Sequence, residues 1–178
     1  MKKFDLNANN QPQTYAIGIK ELWEIKPENH ISGKIVHTTG WPLNTDTYGG
    51  SFLYQFNKNL VSIGYVIGLD YKNPYLSPYD EFQQFKHHPE IKKYLDGGRR
   101  ISYGARALNE GGYQSIPKLT FPGGMLVGCE ASFLNVPKIK GTHLAMKSGM
   151  LAAEAISEDI DNQKEIKKFQ NKINASWL

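Results

Sequence analysis

The chain has 178 residues, 40% of them apolar, and a formal net charge of +4. This length suffices for one substantial hydrophobic core and is short for most two-domain enzymes, and the small charge excess favours a solvated surface over a nucleic-acid patch. The one cysteine, Cys129, excludes an internal disulfide and cannot alone hold a metal cluster, and no apolar run reaches the roughly 20 residues of a membrane span.

Four β-strands are predicted after a polar leader at residues 1–12. The segments rich in β-branched and aromatic residues are 14–25, 33–39, 51–56 and 60–69. The polar stretch Asn57-Lys58-Asn59 between the last two predicts a hairpin turn. Four strands in succession predict a mostly antiparallel sheet.

The second half of the chain favours helices. Prolines divide two helical patterns, residues 80–86 and 90–95, before a stop at Gly97-Gly98. Short apolar strands are predicted at residues 100–105 and 125–128, and a long helix at 142–156. A charged amphipathic helix is predicted from about residue 161, with Ile166, Phe169 and Ile173 on one face. The predicted fold class is therefore α+β, with helices flanking the sheet.

Residues 123–155 carry the most informative pattern: a buried strand, a turn, a loop and a helix that opens at Gly141-Thr142-His143. Unpaired N–H groups in the first turn of such a helix are suited to negative charge on a ligand. Small residues recur every four positions and leave a smooth side, at Gly141, Ala145, Gly149 and Ala153. On this periodicity alone, an ordinary tightly packed helix is favoured over a cofactor helix.

Several long segments resemble one family of flavoproteins. They are PQTYAIGIKELWEI, HTTGWPLNTDTYGGSFLYQF, GLDYKNPYLSPYDEFQQFKHHP, GGRRISYGARALNEGGYQSIPKLTFPGG and VPKIKGTHLAMKSGMLAAE. The likeness is to the electron-transfer-flavoprotein:ubiquinone oxidoreductases and covers nearly the whole chain. The last segment resembles the second flavin-binding motif of glutathione-reductase-like FAD enzymes. The resemblance implies a quinone-domain sheet followed by the C-terminal strand and helix of such an α/β FAD domain.

Carried over by position, the resemblance implies that Tyr48, Gly49 and Gly50 sit at the ubiquinone pocket. A glycine pair suits this role, because backbone N–H groups without side chains can approach the carbonyl acceptors of a quinone closely. Neighbouring apolar and aromatic residues are candidates for the pocket lining, namely Phe52, Leu53, Tyr54, Tyr65 and Ile67. Taken alone, Gly49-Gly50 is more typical of a bulge or turn.

The resemblance also implies a set of flavin contacts: Gly128, Cys129, Glu130, Asn135, Lys140, Gly141, Thr142 and His143. Many FAD enzymes have Gly-Asp at the end of the strand, with the carboxylate bonding the ribityl chain, whereas this chain has Gly128-Cys129 followed by Glu130. Ser132 stands where a glycine is usual. For His143, a flavin-tuning role and a structural role are equally favoured, and the apolar segment before Cys129 predicts a buried thiol. The pair His87-His88 is interpreted as a surface cap before Pro89.

The activity implied by the resemblance is electron transfer from reduced electron transfer flavoprotein, through FAD and a [4Fe-4S] cluster, to ubiquinone. This is an electron-transferring-flavoprotein dehydrogenase of the respiratory chain with peripheral membrane contact. No catalytic acid–base residue and no metal ligand is predicted in this chain. The implied location is the cytoplasmic face of a bacterial inner membrane, or the mitochondrial inner membrane in a eukaryote.

The predicted division of the chain is a leader at 1–12, a ubiquinone-binding region at 13–108, the return to the FAD domain at 109–157 and a truncated amphipathic helix at 158–178. Neither the GxGxxG start nor the cysteine-rich end of the family is found, so an internal fragment that binds flavin poorly by itself is expected. Two alternatives stay open: a geranylgeranyl-reductase-like or FixC-like FAD oxidoreductase, and a non-catalytic binding module.

Overall fold

The computed structural model of the protein describes residues 1–158 and 166–178, which divide into two compact units. We call Tyr15–Leu108 the sheet unit. The second, which we call the helical unit, combines Met1–Thr14 with Asn109–Leu178. The polar leader therefore folds with the second half of the chain, although the sheet unit lies between them in sequence.

The sheet unit contains one five-stranded sheet, made of β1 (Tyr15–Glu24), β2 (Ile35–Thr39), β3 (Gly49–Phe56), β4 (Leu60–Gly68) and β5 (Arg99–Asn109). The strand order in the sheet is β2-β3-β4-β1-β5. Strand β1 pairs with β4, β2 with β3 and β3 with β4, all antiparallel, which confirms the predicted sheet. The ends of β1 to β4 differ from the predicted bounds by at most two residues, with β3 beginning at Gly49 rather than Ser51, whereas β5 continues to Asn109.

Local side-chain chemistry explains where the hairpin between β3 and β4 turns and where the two helices begin. Asn57 and Asn59 both take positive φ, at 51° and 61°, in the hairpin between β3 and β4, as Asn does more readily than most residues. Helix α1 (Pro78–Lys86) begins after Ser77, whose hydroxyl accepts from the Asp80 N–H at 3.3 Å. Helix α2 (Pro89–Leu95) begins after His88, whose Nδ1 accepts from the Glu90 N–H at 3.2 Å. The cap interpretation of His88 is thus confirmed.

The hydrophobic core of the sheet unit lies between the sheet and the two helices. Alternation along the strands directs one set of side chains towards the helices, with Leu53, Val61 and Ile63 fully buried. Helix α1 contributes Phe82 and Phe85 to the same cluster. Burial of apolar side chains contributes about 1.5–3 kcal/mol each, so this layer is the main source of stability for the unit.

One charged residue, Glu21, occupies a position on the buried side of β1. Its side chain is 2% exposed, and its carboxylate accepts from Lys86 Nζ at 2.8 Å, Trp23 Nε1 at 2.8 Å and Arg100 Nη1 at 3.0 Å. Burial raises the pKa of the Glu21 carboxyl, but these hydrogen bonds outweigh burial and hold the pKa below 4.5. The carboxylate therefore joins β1 to α1 and β5.

The helical unit packs two helices over short strands and turns. Its elements are β6 (Thr120–Phe121), β7 (Gly124–Met125), α3 (Thr142–Ser157) and α4 (Lys168–Asn174). The long helix is confirmed, with its buried face formed by Ser148, Leu151, Ala152 and Ala155. Phe169 and Ile173 are buried and Ile166 packs against the same core, which confirms their shared face. The predicted start of the last helix near residue 161 lies outside the described residues.

One expectation for the helical unit was wrong. The strand predicted at residues 125–128 is only the pair Gly124–Met125, and Gly128–Ala131 is a 3-10 turn, because the positive φ of Gly128, 65°, ends extended backbone there. The smooth stripe on α3 packs only in part. Gly141 lies against Leu134 and Ala145 against Gly128, whereas Ala153 is exposed and a Cβ on Gly149 would meet no atom within 4 Å.

Within residues 1–158 and 166–178, no helix combines the length and the apolar character needed to cross a membrane.

Candidate functional site

Gly49 and Gly50 open strand β3 and are neither a bulge nor a turn, because both pair in regular register with β4. A Cβ on Gly49 would stand 2.6 Å from the Val66 carbonyl oxygen and would also overlap the buried Leu43 side chain. A Cβ on Gly50 would lie 2.5 Å from the Thr38 carbonyl oxygen. Real Cβ atoms do not approach backbone oxygen this closely, so any larger residue at either position would force the neighbouring strand to shift.

Tyr48 precedes the two glycines and presents its side chain to solvent, with 54% of its surface exposed. Its carbonyl accepts from the Gly68 N–H at 2.9 Å, which fixes the backbone of Tyr48 to the end of β4. The result is an exposed aromatic ring beside two half-buried glycines. A planar ligand placed there meets backbone polar groups and an aromatic side chain together.

The five candidate lining residues divide between the two faces of the sheet. Leu53, Tyr65 and Ile67 point towards the helices and belong to the hydrophobic core, so they do not line a pocket on the opposite face. Phe52 and Tyr54 lie on that opposite face, with their rings stacked at 5.0 Å between centroids. Strand alternation makes this division, because residues of odd number in β3 and β4 face α1 and α2.

The residues predicted to contact flavin all lie in the helical unit. Gly128 is buried, and its N–H donates to Ser148 Oγ at 3.0 Å, while Ser148 donates to the Ala145 carbonyl at 2.8 Å. The Gly128 N–H therefore already has its acceptor in α3. Cys129 is half-buried rather than buried, its carbonyl accepts from Asn109 Nδ2 at 3.0 Å, and Glu130 is exposed.

The backbone conformation at Ser132 explains why a glycine is usual at this position. Its φ is 65° and its ψ is 23°, in the left-handed region that favours glycine. The side chain is 3% exposed, and its hydroxyl accepts a hydrogen bond from Gln13 Nε2. Gln13 Oε1 in turn accepts from the Gly111 N–H at 2.6 Å. Because Ser132 gains this hydrogen bond, the loop keeps a conformation that a non-glycine residue otherwise disfavours.

The loop before α3 is closed by a backbone pair. Asn135 and Lys140 exchange N–H to carbonyl bonds of 3.0 and 3.2 Å, and Asn135 Oδ1 accepts from the Lys138 N–H at 3.1 Å. The Asn135 side chain therefore shapes its own loop. Lys140 is exposed at the end of that loop, one residue before Gly141.

Helix α3 begins at Thr142, and Gly141, the residue at its N-cap, offers no side-chain cap; Thr142 and His143 are exposed in the first turn. First-turn N–H groups without a side-chain acceptor are suited to an anionic or strongly polar ligand group. The His143 ring stacks on Trp177, with 6.0 Å between ring centroids and an interplanar angle of 4°. His143 therefore has an aromatic neighbour within the helical unit.

Sequence reasoning missed the roles of two residues, one in each unit. The Tyr65 hydroxyl donates to the Gly40 carbonyl at 2.6 Å and so anchors the turn between β2 and β3. Ser148 orders Gly128 from the buried face of α3. Neither role has a sequence signal, because each depends on a contact between segments distant along the chain. Glu21 did carry a signal, since it interrupts the apolar positions of β1.

Comparison with solved structures defines the class of fold. The chain aligns to a geranylgeranyl bacteriochlorophyll reductase-like protein from Thermoplasma acidophilum with a TM-score of 0.70 and 16% identity, covering 94% of this chain and 39% of that one. It aligns to the flavin-dependent brominase Bmp2 with a TM-score of 0.55 and 19% identity, covering 93% and 42%. At these identities the likeness is one of fold alone.

The family follows from sequence comparison. The family model "ETF-QO, ubiquinone-binding" matches residues 15–108, and the chain belongs to this family. It is 59% identical to the mitochondrial electron transfer flavoprotein-ubiquinone oxidoreductase of Homo sapiens over 99% of this chain and 30% of that protein. For the Caenorhabditis elegans protein of the same name the values are 63%, 93% and 28%. The chain thus spans about 30% of the length of these relatives.

Proposed function

We propose that this chain supplies the ubiquinone-binding region, and part of the FAD-binding region, of an enzyme that passes electrons from electron transfer flavoprotein to ubiquinone. One observation carries the proposal: the family match at residues 15–108 has the same bounds as the sheet unit, Tyr15–Leu108. The matched sequence is therefore one folded unit, with its own core and with the glycine pair at the start of β3.

We further propose that Tyr48, Gly49 and Gly50 meet the quinone ring. The supporting geometry is the half-buried glycine backbone beside the exposed Tyr48 ring, where any larger side chain at 49 or 50 would collide with neighbouring strands. Phe52 and Tyr54 are the candidates that remain for an aromatic wall, because the other three residues belong to the core.

The residues present fit part of an FAD site. The uncapped first turn of α3, at Thr142 and His143, would face the part of a flavin that carries negative charge when reduced, and Lys140 lies next to this turn in sequence. Gly128, Cys129, Glu130 and Asn135 would shape the loop, since three of them, Gly128, Cys129 and Asn135, already bond to protein groups. FAD, when bound, supplies the one-electron chemistry.

A [4Fe-4S] cluster does not fit this chain, because four thiolate ligands are needed and Cys129 is the one cysteine. We propose that the cluster, if it serves this activity, is held by residues outside these 178. The relatives named above are mitochondrial proteins, and we propose a mitochondrial inner-membrane location over the bacterial one.

The test is to replace the matching segment of the human relative with this chain and to measure electron transfer from reduced electron transfer flavoprotein to a short-tail ubiquinone. We expect turnover, and at least a tenfold loss of kcat/KM for the quinone in the Gly49→Ala variant at unchanged flavin content. Gly104→Ala is the matched control, because a Cβ there meets nothing within 4 Å. A chimera that retains FAD without reducing quinone would refute the proposal.

The 178-residue chain by itself is expected to bind FAD poorly and not to turn over. Reconstitution with FAD followed by a quinone-reduction assay checks this, and steady activity would contradict it.

A further inference from the structure

The backbone N–H of Gly49 points to the side of β3 on which β2 has already ended. Gln55 donates its N–H to the Lys34 carbonyl at 2.9 Å, on the β2 side, whereas the Tyr48 carbonyl accepts from Gly68 on the β4 side. Successive residues of an antiparallel strand direct their polar groups to alternate sides. Gly49, an even number of residues from Gln55, therefore directs its N–H and carbonyl towards β2.

The register places Gly40 opposite Gly49, since Thr39 pairs with Gly50. Gly40 has nevertheless left the strand, with a φ of 78°. Its carbonyl accepts from the Tyr65 hydroxyl at 2.6 Å and from the Leu43 N–H at 3.2 Å. Among the backbone hydrogen bonds of the described residues, none joins Gly40 to Gly49. The carbonyl that would continue the ladder is held elsewhere.

Tyr65 is well placed to hold that carbonyl. Its side chain is 1% exposed, and its ring packs against Phe85 with 5.1 Å between centroids, which restricts its motion. Burial raises the pKa of the Tyr65 hydroxyl to about 12, so the group stays protonated and acts as a donor at neutral pH.

We propose that Tyr65 is a positioning residue for the quinone site: its hydroxyl holds the Gly40 carbonyl away from Gly49 and so leaves the Gly49 N–H available to a quinone carbonyl. A half-buried N–H outside the sheet ladder can donate to a ligand, and a neutral quinone offers two carbonyl acceptors. This inference rests on the proposed function, in which the quinone ring meets Tyr48, Gly49 and Gly50.

The test is amide hydrogen exchange, followed by NMR, on the 178-residue chain. In the wild type, Gly49 should exchange faster than Gly50, because only Gly50 has strand partners on both sides. In Tyr65→Phe, which removes only the hydroxyl, the Gly40 carbonyl keeps only the longer hydrogen bond from the Leu43 N–H and can pair with Gly49, so protection of the Gly49 amide should rise at least tenfold. Tyr94→Phe, a change of the same size in the same core, should leave it unchanged.

Titration with a short-tail ubiquinone separates the two proposals. We expect the quinone to shift the Gly49 amide resonance in the wild type and Tyr94→Phe, with binding at least tenfold weaker in Tyr65→Phe. Equal binding by all three chains would overturn the role of Tyr65 while sparing the proposed function. If the quinone leaves the Gly49 amide resonance unchanged, while wild type and Tyr65→Phe still differ in Gly49 amide exchange, then the proposed quinone site and the role of Tyr65 in quinone binding are both overturned. If the Gly49 amide is already protected from hydrogen exchange in the wild type, the inference is overturned before any variant is measured.

Discussion

Replacing the buried carboxylate of Glu21 by an amide should destabilise the protein substantially. In Glu21→Gln, an acceptor oxygen becomes an NH₂ donor that faces the donors of Lys86, Trp23 and Arg100, and the Lys86 ammonium, on a side chain only 12% exposed, loses its counter-ion. Removing one partner of a buried ion pair costs about 3–5 kcal/mol. Because the amide oxygen still accepts one hydrogen bond, we expect a loss of about 2–4 kcal/mol in the free energy of unfolding.

The assay is equilibrium urea unfolding of the whole chain at pH 7, with Glu24→Gln as the control on the same strand. Glu24 pairs with Arg99 at the surface, where the two side chains are 48% and 75% exposed, and such pairs contribute about 0–1 kcal/mol. A Glu21→Gln variant that matches Glu24→Gln within about 0.5 kcal/mol would refute the reasoning.

The pH dependence of this difference follows from the lowered pKa of Glu21. A carboxyl whose pKa is lower in the folded state than in the unfolded state contributes stability above the unfolded value and loses it as pH falls through the folded value. The folded pKa lies below 4.5, so the gap between wild type and Glu21→Gln should be complete at pH 7 and narrow in the acid range below 4.5. A gap that stays constant on acidification would contradict the assigned hydrogen bonds.

The other predictions concern backbone positions near the two candidate sites. Gly49→Ala should lower the free energy of unfolding by about 1–3 kcal/mol, because its Cβ meets the Val66 carbonyl, whereas Gly104→Ala should be neutral or slightly stabilising. Thermal melting of both variants checks this, and equal melting temperatures would contradict the steric argument. Ser148→Ala leaves the buried Gly128 N–H without its acceptor and should cost about 1–3 kcal/mol by urea unfolding; an unchanged midpoint would show that another acceptor replaces the hydroxyl.

Much of the sheet unit was predictable because its signals are local. Apolar alternation in β1 and β4, the polar turn at residues 57–59 and the prolines before both helices depend only on neighbouring residues, and the structure confirms each. The prediction of a strand at residues 125–128 was wrong because a contact with a distant segment, and not the local pattern, decides the backbone there. Its apolar letters suit a strand, but hydrogen bonding of Gly128 to α3 ends extended backbone there.

The candidate quinone-site residues show the same difference between local signals and contacts that only the fold makes. The family resemblance singled out Tyr48, Gly49 and Gly50, whereas the glycine pair taken alone predicted a bulge or turn, and the structure places both glycines in β3. Which neighbours face the ligand was beyond sequence reasoning, since Tyr65 and Ile67 turned out to be core residues. A side chain's face depends on which side of the sheet the helices cover.

The sequence by itself therefore determined the strand and helix order, the antiparallel pairing and the family, because these arise from patterns of adjacent residues and from long specific segments. Only the tertiary structure decided that the leader folds with residues 109–178, that Glu21 is held by three donors and that Tyr65 captures the Gly40 carbonyl. Each of these depends on contacts between residues far apart in the chain, and such contacts exist only once packing has selected one arrangement.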